Sequence, residues 1–330
     1  MKKKLFALVA AALFGFSSTA QAQPVDPAQL SSDIQNQVNA AVADAQQRIQ
    51  SMLPAGSSGP VQNVVPPVWA PREPQPVANG TNGEMWVDTR WGPRRFLIWV
   101  PQNYNPANPT PVFVGIPAYQ DTSENYRNYS RLRESTAGRE AIIVYPDSWH
   151  QSWEGAPTSS SEPGQDIEFI RQVIDRTEMA YNVDRHRLYA TGMSTGSGMA
   201  AILGCHASDL FAAIAPVSGA YYDTVNMGCQ NNPMPILIVH GMSDEQHHYD
   251  GGVRYGWHYY GPTQLMDIYA QRNRCSPART EFPIGYGATK VIAEGCAAPT
   301  EHIRVPGGHL WWYRPDTAEE IWAFLRVQRR

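Results

Sequence analysis

From about residue 83 to the C-terminus, short apolar runs alternate with stretches whose apolar positions recur every three or four residues. Glu84–Arg90 and Arg94–Val100 alternate around Gly92-Pro93 and predict a β-hairpin. Val112–Ile116, Ala141–Tyr145, Leu188–Thr191, Ala212–Val217 and Ile236–His240 are almost continuously apolar, as strands buried on both faces are. Helical spacing covers Asp166–Ala180, Thr195–Gly204, Thr263–Asn273 and Thr317–Val327. Strand–helix alternation of this kind predicts an α/β fold over 83–330, a mostly parallel central sheet with helices on both faces. No internal repeat interrupts it.

Upstream the pattern is different. Asp26-Pro27 supplies an N-cap followed by proline at the first helical position, and Leu30, Ile34, Val38, Val42, Ala45, Ile49 and Met52 form one apolar stripe. The spacing predicts an isolated amphipathic helix within 23–53. Its stripe needs a partner: this chain's own α/β domain, another copy, or a component of the cell envelope. Residues 54–82 carry seven prolines among Gly and Ser with little periodicity, and predict an extended, semi-rigid spacer.

Charge sharpens the reading of the first residues. The formal net charge is -4 and only 17% of residues are charged, which argues against a nucleic-acid binder with a basic face and against a disordered chain. Lysine occurs only at Lys2, Lys3, Lys4 and Lys290. The first three precede the apolar run Leu5–Phe16, and Ala20-Gln21-Ala22 then offers the small-x-small pattern of a cleavage site. Residues 1–22 therefore read as a secretory leader cut near Ala22, too short in its apolar part to span a bilayer. Losing its three lysines takes the formal charge from -4 to -7. Outside the cytoplasm, Cys205, Cys229, Cys275 and Cys296 are expected to form two disulfides. Of three connectivities, Cys205–Cys229 with Cys275–Cys296 closes the short loops and is favoured; no C-x2-C pair suggests a metal instead.

Gly192-Met193-Ser194-Thr195-Gly196 lies between a predicted strand and a predicted helix. This is the setting of a nucleophile elbow, in which a serine stands on a tight strand-to-helix turn and glycines relieve the crowding. A serine needs a base, and the base needs an orienting carboxylate. Downstream, Ile236–Gly241 runs into a loop holding Asp244, and Ile303-Arg304-Val305 leads to Gly307-Gly308-His309. The order Ser194, Asp244, His309 matches that required on an α/β sheet. Asp223 and Asp250 are the rival acids; His240, His247, His248, His258 and His302 are the rival bases.

Several further blocks occur in order, and together they resemble the secreted polyhydroxybutyrate-depolymerase and feruloyl-esterase group of the α/β-hydrolases. They are Arg95–Pro101, Tyr145-Pro146-Asp147, Ser152-Trp153, Val183–Tyr189, Asp209–Gly219, Asp244 through Gly251-Gly252, and Gly307–Trp311. The match spans roughly 84–325. The resemblance implies an α/β-hydrolase fold, a Ser194–His309–Asp244 triad, and an oxyanion hole from the backbone N–H groups of Thr195 and Tyr119. There is one departure at that hole: relatives carry His-Gly after the first core strand, where this chain reads Pro117-Ala118-Tyr119. Relatives also carry Val-Pro after the aspartate, where His247-His248 stand here. An aromatic-rich set including Trp153, Trp257 and Trp311 suggests an apolar substrate cleft.

These readings converge on a secreted serine esterase, without cofactor or metal, acting through an acyl-enzyme. The expected substrates are polymeric hydroxyalkanoate-type esters, hydroxycinnamoyl esters or small acyl esters. An envelope acyltransferase on the same triad and a non-catalytic envelope protein using the Asp26–Met52 helix are the alternatives.

Overall fold

A computed structural model describes residues 76–330. The expected leader, the Asp26–Met52 helix and most of the proline-rich spacer lie outside the described residues. The end of that spacer does not behave as spacer. Val77 packs against the core and its N–H donates to Tyr181 Oη at 2.6 Å, while Gly80 N–H donates to Val100 O at 2.9 Å.

The elements follow in chain order. The hairpin β1 (Asn82–Thr89) and β2 (Gly92–Trp99) comes first, then β3 (Thr110–Ile116), helices α1 (Ser123–Ser130) and α2 (Ala137–Glu140), and β4 (Ile142–Pro146). Next come α3 (Gln165–Ala180), β5 (Val183–Met193), α4 (Thr195–His206), β6 (Ala213–Val217), β7 (Tyr221–Tyr222) and β8 (Ile236–Gly241). The chain continues through β9 (Gly252–Arg254), β10 (Trp257–Tyr260), α5 (Pro262–Arg272), β11 (Arg279–Gly285), β12 (Ala288–Ala293), β13 (Thr300–Val305) and α6 (Thr317–Leu325).

Ten strands form one sheet in the order β1-β2-β4-β3-β5-β6-β8-β13-β12-β11. The six from β4 to β13 run parallel, and antiparallel pairs close both edges. Alternate side chains of each strand enter opposite cores. Val112, Val114 and Ile116 face α3, α4 and α5; Phe113, together with Ile143 and Tyr145, faces α1, α2 and α6. This is the predicted α/β-hydrolase architecture. Strand order reverses between β3 and β5, so the carboxyl ends of these two strands open a crevice where ligands bind in such sheets.

The start of α3 shows how the edge hairpin is tied to the core. Its cap residue is Gly164, which has no side chain to offer, and the buried Glu154 carboxylate accepts from the N–H groups of Gly164, Asp166 and Ile167 instead. Asp166 in turn receives Arg94 Nη1 from β2 at 2.6 Å, both side chains buried. A buried ion pair holds its place only when its remaining polar atoms are satisfied, and Arg94 Nη2 also donates to Asp147 O.

The pattern did not predict β7 and β9–β12, nor α1 and α2. Strand β11 exposes most of its residues and carries no apolar run, as an edge strand need not. The disulfides are Cys205–Cys229, pinning the end of α4 to the loop after β7, and Cys275–Cys296, linking the chain after α5 to that after β12. Each closes a short loop, of 24 and 21 residues in sequence separation. Replacing Cys275 and Cys296 together by serine is expected to lower the unfolding free energy by roughly 3 kcal/mol, measured by urea denaturation under non-reducing conditions.

Candidate active site

Ser194 sits between β5 and α4 with φ 57° and ψ -117°, a conformation that side chains rarely adopt. Its backbone is held on three sides: its N–H donates to Val217 O, and its carbonyl accepts from Gly198 and Ala220 N–H. The flanking glycines are required by close approach. A Cβ on Gly192 would run into the Gly196 carbonyl, and one on Gly196 would strike the carbonyls of Ile116 and Pro117. The first N–H groups of α4 lie beside the serine and favour negative charge there.

Asp244 and His309 come from loops after adjacent parallel strands, β8 and β13. The two loops are joined by backbone: Met242 N–H donates to Val305 O at 2.8 Å and Ser243 N–H to Gly307 O at 2.9 Å. Ser218 Oγ, at the end of β6, donates to Leu310 O and anchors the histidine loop toward the serine. His309 Nδ1 lies 2.8 Å from Asp244 Oδ2. The other carboxylate oxygen accepts from Gln246 and His247 N–H, each at 2.8 Å. His240 Nε2 stands 3.3 Å from Oδ2 and 3.0 Å from His247 O. Burial alone would raise the Asp244 pKa, but the hydrogen bonds from His240, His309 and His247 N–H overcome it and hold the carboxyl well below the usual range. The acid is therefore charged and acceptor-only at neutral pH, which directs the His309 Nδ1 proton toward it and leaves Nε2 for chemistry.

Two rival bases, His240 and His247, stand beside the Asp244–His309 pair, and other rivals fall elsewhere. Asp223 pairs with His258 on the surface at 2.7 Å. His302 is fully buried below the site, where burial and His240 push its pKa down to about 3. Among the described residues, no group of three His, Cys, Asp or Glu side chains is placed to hold a metal ion.

Pro117-Ala118-Tyr119 leaves β3 opposite Ser194. The buried Trp153 donates Nε1–H to Pro117 O at 2.8 Å, and Gln120 N–H donates to Gln151 O at 2.9 Å. This loop is thus supported at both ends, with Tyr119 at the cleft. Trp153 does not line the cleft as the sequence suggests; it is buried, and it holds the loop from behind.

Ser194, Thr195, Tyr119 and His309 open on one cleft of about 320 Å³. Its aromatic wall is tyrosine: Tyr119, Tyr129, Tyr222 and Tyr255. The other two predicted tryptophans are also outside it. Trp311 is buried edge-on against Tyr126, and Trp257 packs edge-on against Tyr222, 46% exposed on the surface. Indole rings are large enough that burying them in support of a loop returns more apolar burial than lining an open cleft. Tyr129 and Tyr222 carried no sequence signal, because they lie on α1 and β7, two elements the periodicity does not reveal. Tyr255 belongs to the aromatic stretch at 255–261 noted above.

The depressed carboxyl pKa of Asp244 has a consequence for folding. Its hydrogen bonds stabilise the folded state fully above the unfolded pKa near 3.8 and are lost as pH falls toward the lower folded value. Asp244→Asn is expected to lose less stability than the wild type when urea unfolding is compared between pH 7 and about pH 2.5.

No protein-family model matches the sequence. Curated relatives do. The chain is 28% identical over 225 residues to a probable feruloyl esterase C of Aspergillus niger, covering 66% of this chain and 76% of that one. It is 26% identical over 252 residues to feruloyl esterase D of Neurospora crassa, covering 72% and 77%. Among solved structures, the acetyl xylan esterase from Aspergillus awamori superposes with a TM-score of 0.52 at 18% identity, over 73% of this chain and 99% of that one. The chain is an α/β-hydrolase by fold, and its sequence is related to those of feruloyl esterases over about two thirds of its length.

Proposed function

We propose that the protein is a serine carboxylic-ester hydrolase in which Ser194, His309 and Asp244 act as the triad. The observation that carries the reading is the 2.8 Å contact between Asp244 and His309 Nδ1, facing a serine held on a nucleophile elbow in the same cleft. Ser194 Oγ attacks the ester carbonyl while His309 Nε2 takes its proton. Asp244 holds the imidazole tautomer and balances the imidazolium. The tetrahedral oxyanion points to the N–H groups of Thr195 and Tyr119. His309 then returns the proton to the departing alcohol, leaving Ser194 acylated, and a water molecule reverses the steps to release the acid.

The tyrosine-lined cleft favours an aromatic or extended apolar acyl group, and the relatives named as feruloyl esterases support hydroxycinnamoyl esters as the substrate class. Hydroxyalkanoate-type polyester ends fit the same open cleft. The two disulfides support export, with the leader removed near Ala22; the N-terminal mass of the exported protein reads this directly.

Ser194→Ala is expected to lower kcat on a p-nitrophenyl ester by about 10⁴-fold or more and to abolish labelling by a fluorophosphonate; retained wild-type turnover would rule the triad out. Trp153→Phe removes the donor that holds Pro117 O. It is expected to cut kcat about tenfold or more through the oxyanion loop, with KM within about threefold and Ser194 still open to the fluorophosphonate. An equal rise in KM without loss of kcat would assign Trp153 to substrate binding instead.

A further inference from the structure

One wall of the Ser194 cleft is polar and positively charged, and the triad chemistry does not use it. Arg254, the last residue of β9, lines the cleft. Its guanidinium is held in place by one bond, Nη1 to Gln246 O at 2.9 Å, and by the Tyr255 ring, 5.1 Å away. Among the described residues no carboxylate pairs with it, and no Asp or Glu lines the cleft. Arg94, Arg95, Arg171, Arg185 and Arg187, by contrast, each face a carboxylate, and none of them lines the cleft.

His247 stands beside it on the same wall. It is 4% exposed, lines the cleft, and neither ring nitrogen has a hydrogen-bond partner. Both nitrogens are shut off from solvent, so the ring backs this wall of the cleft as packing and leaves Arg254 as its polar group. Burial, helped by the nearby Arg254 charge, drives its pKa down to about 3. The ring is neutral at working pH and leaves the charge of this wall to Arg254. Of the two carboxylates on the neighbouring loop, Asp244 is committed on both oxygens to His309, His240, Gln246 and His247, and Glu245, which does not line the cleft, accepts from His309 N–H at 3.3 Å.

We propose that Arg254, backed by the neutral His247 ring, forms a carboxylate-recognition subsite, so that the favoured esters carry a free carboxylate on either the acyl or the alcohol part. Half esters of dicarboxylic acids and carboxylate-terminated ends of an oligoester are of this class. The inference rests on the ester-hydrolase reading. Arginine suits the task because its planar fork meets a carboxylate with two parallel N–H groups, and the open Nη2 and Nε edge is what remains after Gln246 takes Nη1.

The test compares each carboxylate ester with a neutral partner of the same length. Mono-p-nitrophenyl adipate against p-nitrophenyl hexanoate places the charge on the acyl side. The pair 4-(hexanoyloxy)benzoate and 4-(hexanoyloxy)benzamide places it on the alcohol side. In at least one pair, Arg254→Gln is expected to lower the kcat/KM ratio of charged over neutral ester by about ten- to a hundredfold, and Arg254→Lys by less. Raising the salt to about 1 M is expected to shrink the wild-type ratio in that pair. Taking the ratio cancels the intrinsic reactivity of the leaving groups and any general loss of activity. The pair that responds identifies the side that carries the charge. Ratios unchanged by Arg254→Gln in both pairs, with neutral esters still hydrolysed, would overturn the subsite and leave the hydrolase standing. If no ester were turned over and the fluorophosphonate failed to label Ser194, the hydrolase reading would fall, and the subsite with it.

Discussion

Everything at the site depends on one residue's backbone. Ser194 must hold φ 57° and ψ -117° where β5 turns into α4, a conformation costing on the order of 1–3 kcal/mol. The surrounding structure has to over-determine it. Val217 O, at the end of β6, takes its N–H; Ala220, on the segment that follows, binds its carbonyl; and Gly192 and Gly196 close on each other and on the end of β3. The strain therefore couples three neighbouring parallel strands. Parallel order is what makes this possible, since it brings the carboxyl ends of β3, β5, β6, β8 and β13 to one edge, and Tyr119, Ser194, Asp244 and His309 all follow those ends.

The same edge explains why the acid is so heavily hydrogen-bonded. A carboxylate buried at the end of β8 would be costly unpaired, and two loop N–H groups and two imidazoles remove that cost. One consequence is crowding. His240, His247 and His302 gather around Asp244 and His309, and burial keeps His247 and His302 neutral. Neutral imidazoles add polarity without competing for the role of counter-charge. In the proposed mechanism, Asp244 is the counter-charge for the His309 imidazolium.

The parts legible in the sequence are those set by periodicity and by local chain chemistry. Continuous apolar runs marked the buried parallel strands, and G-x-S-x-G between a strand and a helix marked the elbow, because both patterns follow from local burial and backbone geometry. Asp244 and His309 were legible through chain order alone. Strand β11 left no signal because its residues are mostly exposed, and β7 left none because it has two residues. The aromatic residues misled in a consistent way. Trp153 and Trp311 are the most apolar candidates and went into support, while the less apolar tyrosines, whose hydroxyls tolerate water, stayed at the cleft. Composition says how many aromatics a chain has, but the division between wall and buttress is decided by tertiary packing.

The turn Pro117-Ala118 after β3 can be understood in the same terms. Proline has no N–H, so the turn after β3 has one donor fewer, and its carbonyl becomes the handle by which the loop is held. Trp153 Nε1 takes that carbonyl from the buried side. A glycine-bearing turn can reach many conformations and has to be held in one of them; a proline begins with its φ restricted and needs a single fixed contact. The Pro117-Ala118 turn and the buried tryptophan are therefore two halves of one solution, in which the rigidity of the chain takes the place that the freedom of a glycine would have. The position of the Tyr119 N–H is then set from outside the cleft, by the indole bond to Pro117 O on one side and the Gln120 N–H bond to Gln151 O on the other.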